Sequence, residues 1–166
     1  MRFAPAAAAL SLCLAMSASV LNAGAGNTPD PRAAALIAQG QAALKAGETQ
    51  AATDAFEAAL AVDPGYTAIF IELAEASRQG GLQGKAIRYY REALERDPGN
   101  FAAISGEGAA LVEKGALEKA KRNLATLQSL CGDACPETVA LQSTIARGVP
   151  ARLAADTGAD SGTASN

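Results

Sequence analysis

A period of thirty-four residues constrains this chain more than any other feature. Asp54–Gly65 reads DAFEAALAVDPG, and Arg88–Gly99 reads RYYREALERDPG. In that register Phe56 falls on Tyr90, Ala59 on Ala93, Leu60 on Leu94, and Asp63-Pro64-Gly65 on Asp97-Pro98-Gly99. Self-similarity at this spacing belongs to stacked supersecondary units, each burying its apolar face against the next, rather than to one closed core.

Within a unit the apolar and small residues recur every three or four positions, the helical period. Leu36, Ile37, Gly40, Ala43 and Leu44 make one such run, and Ala52, Ala55, Phe56, Ala59 and Leu60 make a second, with Gly47 breaking the pattern between them. Pro64 ends the second run, because proline offers no amide hydrogen and its ring collides with the preceding turn. The spacing predicts helices at about 32–46, 48–62, 67–79, 83–96, 101–114 and 116–130, with Asn100 as the N-cap of the fifth. A last helix is expected from Pro136 to about Arg147, where Leu141 and Ile145 stand in phase with the opening helix of a fourth unit. Gly132 suits the end of the sixth helix and Pro136 the first position of the seventh.

These positions resemble the tetratricopeptide repeat. Its small residue at unit position 8, Ala at 20, aromatic at 24, Ala at 27 and Pro at 32 correspond to Gly40, Ala52, Phe56, Ala59 and Pro64 in a unit over 33–66. In a unit over 67–100 they correspond to Ala74, Ala86, Tyr90, Ala93 and Pro98. A third unit over 101–134 keeps Gly108 and Ala120, but has Leu124 for the aromatic and Gly132 for the proline. The resemblance implies an all-α, right-handed α-solenoid of three helix pairs, closed by a capping helix over 135–148. It also implies a groove lined by the first helix of each pair. The expected lining is Ile37, Gln41, Leu44 and Lys45, then Ile71, Glu75, Arg78 and Gln79, then Ser105, Ala109, Val112 and Glu113. Some repeat proteins of this kind clamp a peptide carboxylate with Lys and Asn at positions 5, 6 and 9. Here those positions hold Ile37, Ala38 and Gln41, then Ile71, Glu72 and Glu75, so the expected ligand is instead an extended or helical segment with aliphatic side chains.

Residues 1–25 read as an export signal. Arg2 precedes an apolar stretch from Ala4 to Leu21, and Ala23-Gly24-Ala25 offers cleavage after Ala23 or Ala25. The alternative is an uncleaved membrane anchor, since about 18 apolar residues approach a spanning length. Cleavage would remove Cys13 and leave Cys131 and Cys135, an even pair suited to the periplasm or the extracellular space. Residues 26–32 are expected to be a linker kept non-helical by Pro29 and Pro31, and 149–166 a tail too rich in Ala, Gly, Ser and Asp to fold.

The chain has no His, which excludes His-dependent catalytic triads and His metal ligands. Its net charge of −3 is dispersed without a basic stripe, so nucleic acid is not an expected partner. Gly80-Gly81-Leu82-Gln83-Gly84-Lys85 lacks the first glycine and the terminal Ser or Thr of a phosphate loop and reads as a turn. Gly106-Glu107-Gly108 lies inside an expected helix, and Glu72 and Glu75 read as a solvated face. No cofactor is expected. The Cys131–Cys135 pair has three residues between its thiols and no following His, which separates it from thioredoxin-like and haem-attachment motifs. It reads as a structural disulfide, with a thiol–disulfide oxidoreductase as the alternative. The leading reading is a non-catalytic protein-interaction module of a bacterial cell envelope that binds a protein or peptide. Self-association in a purely architectural role is the remaining alternative. Mass spectrometry of the native protein should give a mature N-terminus at Gly24 or Gly26, and a mass that includes Met1–Leu21 would refute the cleaved signal.

Overall fold

The same local geometry closes each unit at its middle. Glu48, Leu82 and Ala116 each donate a backbone N–H to the carbonyl five residues back, on Ala43, Ser77 and Leu111, at 2.9, 2.8 and 2.8 Å. Gly47, Gly81 and Gly115 precede them with φ of 80°, 79° and 79°. This is the glycine-terminated helix end in which a left-handed residue lets the chain turn back and satisfy the last carbonyls. Residues thirty-four apart thus do the same job.

The computed structural model describes residues 28–148. The expected export signal, Cys13 and the segment after Gly148 lie outside the described residues. Among the described residues there are seven α-helices and no strand: α1 (Pro31–Lys45), α2 (Thr49–Val62), α3 (Ala68–Gln79), α4 (Gln83–Arg96), α5 (Phe101–Glu113), α6 (Leu117–Cys131) and α7 (Pro136–Arg147). Each boundary falls within about a residue or two of the sequence expectation. The lead-in is where the two differ. Pro31 and Arg32 belong to α1, because proline is tolerated at the first helical position, where no amide partner is needed. Asp30 caps that helix by accepting the Arg32 N–H at 2.8 Å. Asn100 caps α5 by accepting the Ala103 N–H at 3.0 Å.

Helices pack as pairs, α1 with α2, α3 with α4 and α5 with α6, and each second helix also packs on the first helix of the next pair. The apolar interior is accordingly a row of clusters. Ala33, Ala52, Phe56 and Ala59 join Ile69, Leu73 and Ala76 of α3. Ala86, Tyr90 and Ala93 join Ala103, Ala110 and Leu111 of α5. Ile104 and Leu127 join Leu141 of α7. Phe56 has no exposed surface, and full burial of such a side chain contributes about 1.5–3 kcal/mol.

Small residues set how closely these helices approach. A Cβ placed on Gly40 would stand 2.4 Å from the Phe56 ring, so Phe56 lies directly on its own unit's first helix. Position 8 of the second unit holds Ala74 instead. Tyr90 leans the other way, onto Gly106 of the next unit, where a Cβ would meet the ring at 2.3 Å. Gly108 receives Leu141 of α7 in the same manner, at 2.6 Å. Glu107, between these two glycines, points elsewhere. It is 7% exposed, accepts from Arg91 Nε at 2.7 Å and accepts from Asn123 Nδ2 at 3.0 Å. The Gly-Glu-Gly run is therefore a packing feature of α5. Gly40→Val should destabilise the fold by about 1–3 kcal/mol through overpacking against Phe56, read as a lower urea midpoint, and an unchanged midpoint would show that the ring is free to move.

Candidate functional site

α1, α3, α5 and α7 together line one face. Between α3, α5 and α7 lies a groove of about 600 Å³, lined by Ile71, Glu72, Glu75 and Arg78 from α3 and Ala102, Ser105, Gly106 and Ala109 from α5. Pro136, Glu137, Ala140, Thr144 and Arg147 of α7 form its other wall, and Tyr90 reaches it from α4. Between α1 and α3 a smaller cleft of about 360 Å³ is lined by Gln41, Leu44, Lys45, Glu72 and Gln79.

Five residues expected at the groove from sequence, Ile71, Glu75, Arg78, Ser105 and Ala109, line the larger space, and Gln41, Leu44, Lys45 and Gln79 line the smaller. Two do neither. Ile37 is half-buried and packs against the first-unit cluster. Val112 is 1% exposed and belongs to the interior, with Ile145 of α7 packed on the same cluster. Positions that line the face in earlier units are covered in the third, because α7 lies against both α5 and α6. Glu113 is likewise buried, at 8% exposure.

The centre of the groove is a fixed polar network, not the solvated face expected for Glu72 and Glu75. Arg78 donates from Nη2 and Nε to the two Glu75 oxygens at 2.7 and 3.0 Å, and from Nη1 to Glu113 at 2.5 Å. Gln79 and Tyr90 donate to Glu75 at 3.0 and 3.2 Å. Gln83 donates to the other Glu113 oxygen at 3.2 Å, and Gln41 donates to Glu72 at 2.6 Å. Burial works to raise the Glu75 carboxyl, yet the bonds from Arg78, Gln79 and Tyr90 hold it below its ordinary value. Burial also opposes the Arg78 charge, and pairing with Glu75 and Glu113 more than offsets it. Burial and the neighbouring Glu75 charge push the Tyr90 phenol upward, so it stays protonated and remains a donor. Both guanidinium edges of Arg78 are engaged, so this network is a charged floor with little capacity left to clamp a ligand.

Tyr90 and the α7 wall were not legible as groove residues. The position-24 aromatic usually reads as packing, and this one packs on Gly106 of α5 with its hydroxyl reaching Glu75. The fourth-unit phase of Leu141 and Ile145 signalled that α7 would continue the row. It lines the groove through Ala140, Thr144 and Arg147, one position beyond the usual register except at Arg147.

Cys131 ends α6 and Cys135 immediately precedes α7. Their Cα atoms are 5.7 Å apart, with the sulfurs placed as a bonded pair. Thr138 has no exposed surface, and its hydroxyl lies 3.6 Å from the Cys131 sulfur. Neither cysteine lines the groove, but Pro136 and Glu137 next to Cys135 do. The pair lies where α6 passes into α7. No group of three or more His, Cys, Asp or Glu suited to a metal ion occurs among the described residues.

A stack of helix pairs with an open groove along its first helices is an all-α solenoid of tetratricopeptide type. Residues 37–101 match the family described as tetratricopeptide repeat. No curated protein matches the chain in sequence. Among solved structures, the Sgt2 tetratricopeptide domain from Aspergillus fumigatus is similar at 23% identity, covering 84% of this chain and 91% of that one, with a TM-score of 0.64. The second such domain of human RPAP3, in complex with an HSP70 peptide, is similar at 21% identity over 69% and 95%, with a TM-score of 0.61. The type III secretion chaperone SycD of Yersinia enterocolitica, in complex with a peptide of the translocator YopD, is similar at 19% identity over 75% and 93%, with a TM-score of 0.60. At these identities the likeness speaks for the fold alone.

A bridge between Cys131 and Cys135 closes a short loop and should contribute about 2 kcal/mol in the chain-entropy account. Cys131→Ser with Cys135→Ser should lower Tm by several degrees, while the native protein should not reduce insulin disulfides. An unchanged Tm would refute the structural role.

Proposed function

We infer that this chain is a non-catalytic protein-interaction module exported to the periplasm or beyond the cell, holding a segment of a partner protein in the groove between α3, α5 and α7. The observation that carries the reading is the lining itself. Ile71, Ala102, Ala109 and Ala140 give aliphatic and small side chains beside the Glu75–Arg78 network, and Glu72, Glu137 and Arg147 add further charge to the lining. Apolar area fixes affinity in such a site, while a few flanking charges set register and orientation. Two structures of similar fold hold peptides, the RPAP3 domain and SycD. Export is supported by the apolar N-terminal stretch with its Ala23-Gly24-Ala25 site and by the two cysteines that would remain after cleavage. In an oxidising compartment Cys131 and Cys135 form a disulfide, and the bridge fixes the α7 wall of the groove.

The carboxylate-clamp residues are missing, so the ligand is held along its length and not by its terminus. A peptide library selected on the native protein should yield binders rich in aliphatic residues. Ala109→Arg, which places a long charged side chain on the groove floor, should weaken them at least tenfold in fluorescence anisotropy, while Glu57→Gln on the exposed side of α2 should not. Equal binding by both variants would remove the groove assignment.

A further inference from the structure

Charge is not spread evenly along the groove. Ser105 Oγ donates to the Glu137 backbone carbonyl at 3.2 Å, which sets the start of α7 beside the first half of α5. Arg147 and Thr144 share a cleft of about 260 Å³ with Arg78 and Glu113, which sets the end of α7 beside the ends of α3 and α5. At this second end the charges balance. Arg78 pairs with both Glu75 and Glu113, and Arg147 borders the same cleft, so two carboxylates face two guanidiniums.

The first end has no such balance. Glu72 and Glu137 both line the groove, and among the described residues neither forms an ion pair. Glu72 accepts from the neutral Gln41 amide at 2.6 Å. Lys45 borders the smaller cleft with Glu72 but does not pair with it. The positive end of the α7 dipole offsets about half of the Glu137 charge and fades within a turn, so a negative surplus remains. Ile71, Ala102, Ala109 and Ala140 share this lining and supply its apolar part.

We propose that the partner segment held in the groove is extended and aliphatic with one Lys or Arg, its cation seated at the Glu72 and Glu137 end and its apolar residues running toward Arg147. This rests on the reading of the groove as a peptide site and adds the partner's charge and where that charge sits. Charge-assisted hydrogen bonds to the two carboxylates hold the cation. Arg147 opposes a second cation at the far end. From Glu137 to Arg147 the helix rises about 15 Å, which about four or five extended residues span. A helix about 10 Å across and about 15 Å long fills roughly 1,200 Å³, twice the groove, so the extended segment is the better fit.

The test titrates capped synthetic peptides into the native protein and follows the backbone amide NMR signals of Ser105, Ala109 and Ala140. One peptide is a Leu-Ala-Leu-Val core with Gln at both flanks. Others carry Lys at either flank, Glu at either flank, or Lys at both. The better single-Lys peptide should bind about fivefold more tightly than the neutral one, the upper range for an exposed ion pair. The Glu peptides should bind more weakly than the neutral one, and the second Lys should add nothing. In an E72Q/E137Q variant the single-Lys and neutral peptides should bind alike, with the neutral peptide's affinity unchanged from native. A neutral peptide that binds as well as the Lys peptides, or a Lys advantage that survives in the variant, would overturn the proposal and leave the peptide site standing. Groove signals that move with none of the peptides would overturn both.

Discussion

Close approach of helix backbones over glycine and alanine is the constraint on which this structure rests. Phe56 can lie flat on α1 only because Gly40 has no side chain, and Tyr90 can lie on α5 only because Gly106 has none. Ala52, Ala59, Ala86, Ala93 and Ala120 carry no exposed surface and occupy equivalent places in their helices. With so few aromatic residues, the interior gains its density from small side chains at helix crossings, where even one added methyl is felt. The result is a row of clusters, each shared by two units, so the stability of any pair depends on its neighbour.

The repeat made most of the fold legible. Helix boundaries followed from the three-and-four spacing of apolar residues and from the prolines and glycines between them, since those signals act through local backbone chemistry. The groove was legible for the second unit, where Ile71, Glu75 and Arg78 stand where the register puts them. It was less so at the ends. Val112 is in register with Arg78, but α7 lies against its helix, and no property of residue 112 announces that. Tyr90 was not legible as a groove residue because its ring packs on Gly106, in the next unit, and its hydroxyl reaches Glu75 on another helix. Pro31 read as a helix breaker, yet at the first helical position it is a helix opener. Long-range coverage and side-chain direction depend on the whole stack, and a local pattern does not encode them.

Polar groups inside the stack are matched to one another with similar economy. Glu107 takes the position that Leu73 holds one unit earlier, and its cost of burial is offset by Arg91 and Asn123 from the flanking second helices. Glu75, Arg78 and Glu113 link α3 to α5 across the groove floor. No buried side-chain nitrogen or oxygen among the described residues is left without a partner. The third unit, which lacks the signature aromatic and proline, is therefore tied to the second by charge as well as by the apolar cluster around Tyr90.

Tyr90 joins these two kinds of contact in a single side chain. Its ring is a spacer between the second and third units, and its hydroxyl ends inside the groove on Glu75. Packing between units and the polar lining of the groove thus share one residue, and Tyr90→Phe would keep the spacer while taking the hydroxyl from Glu75.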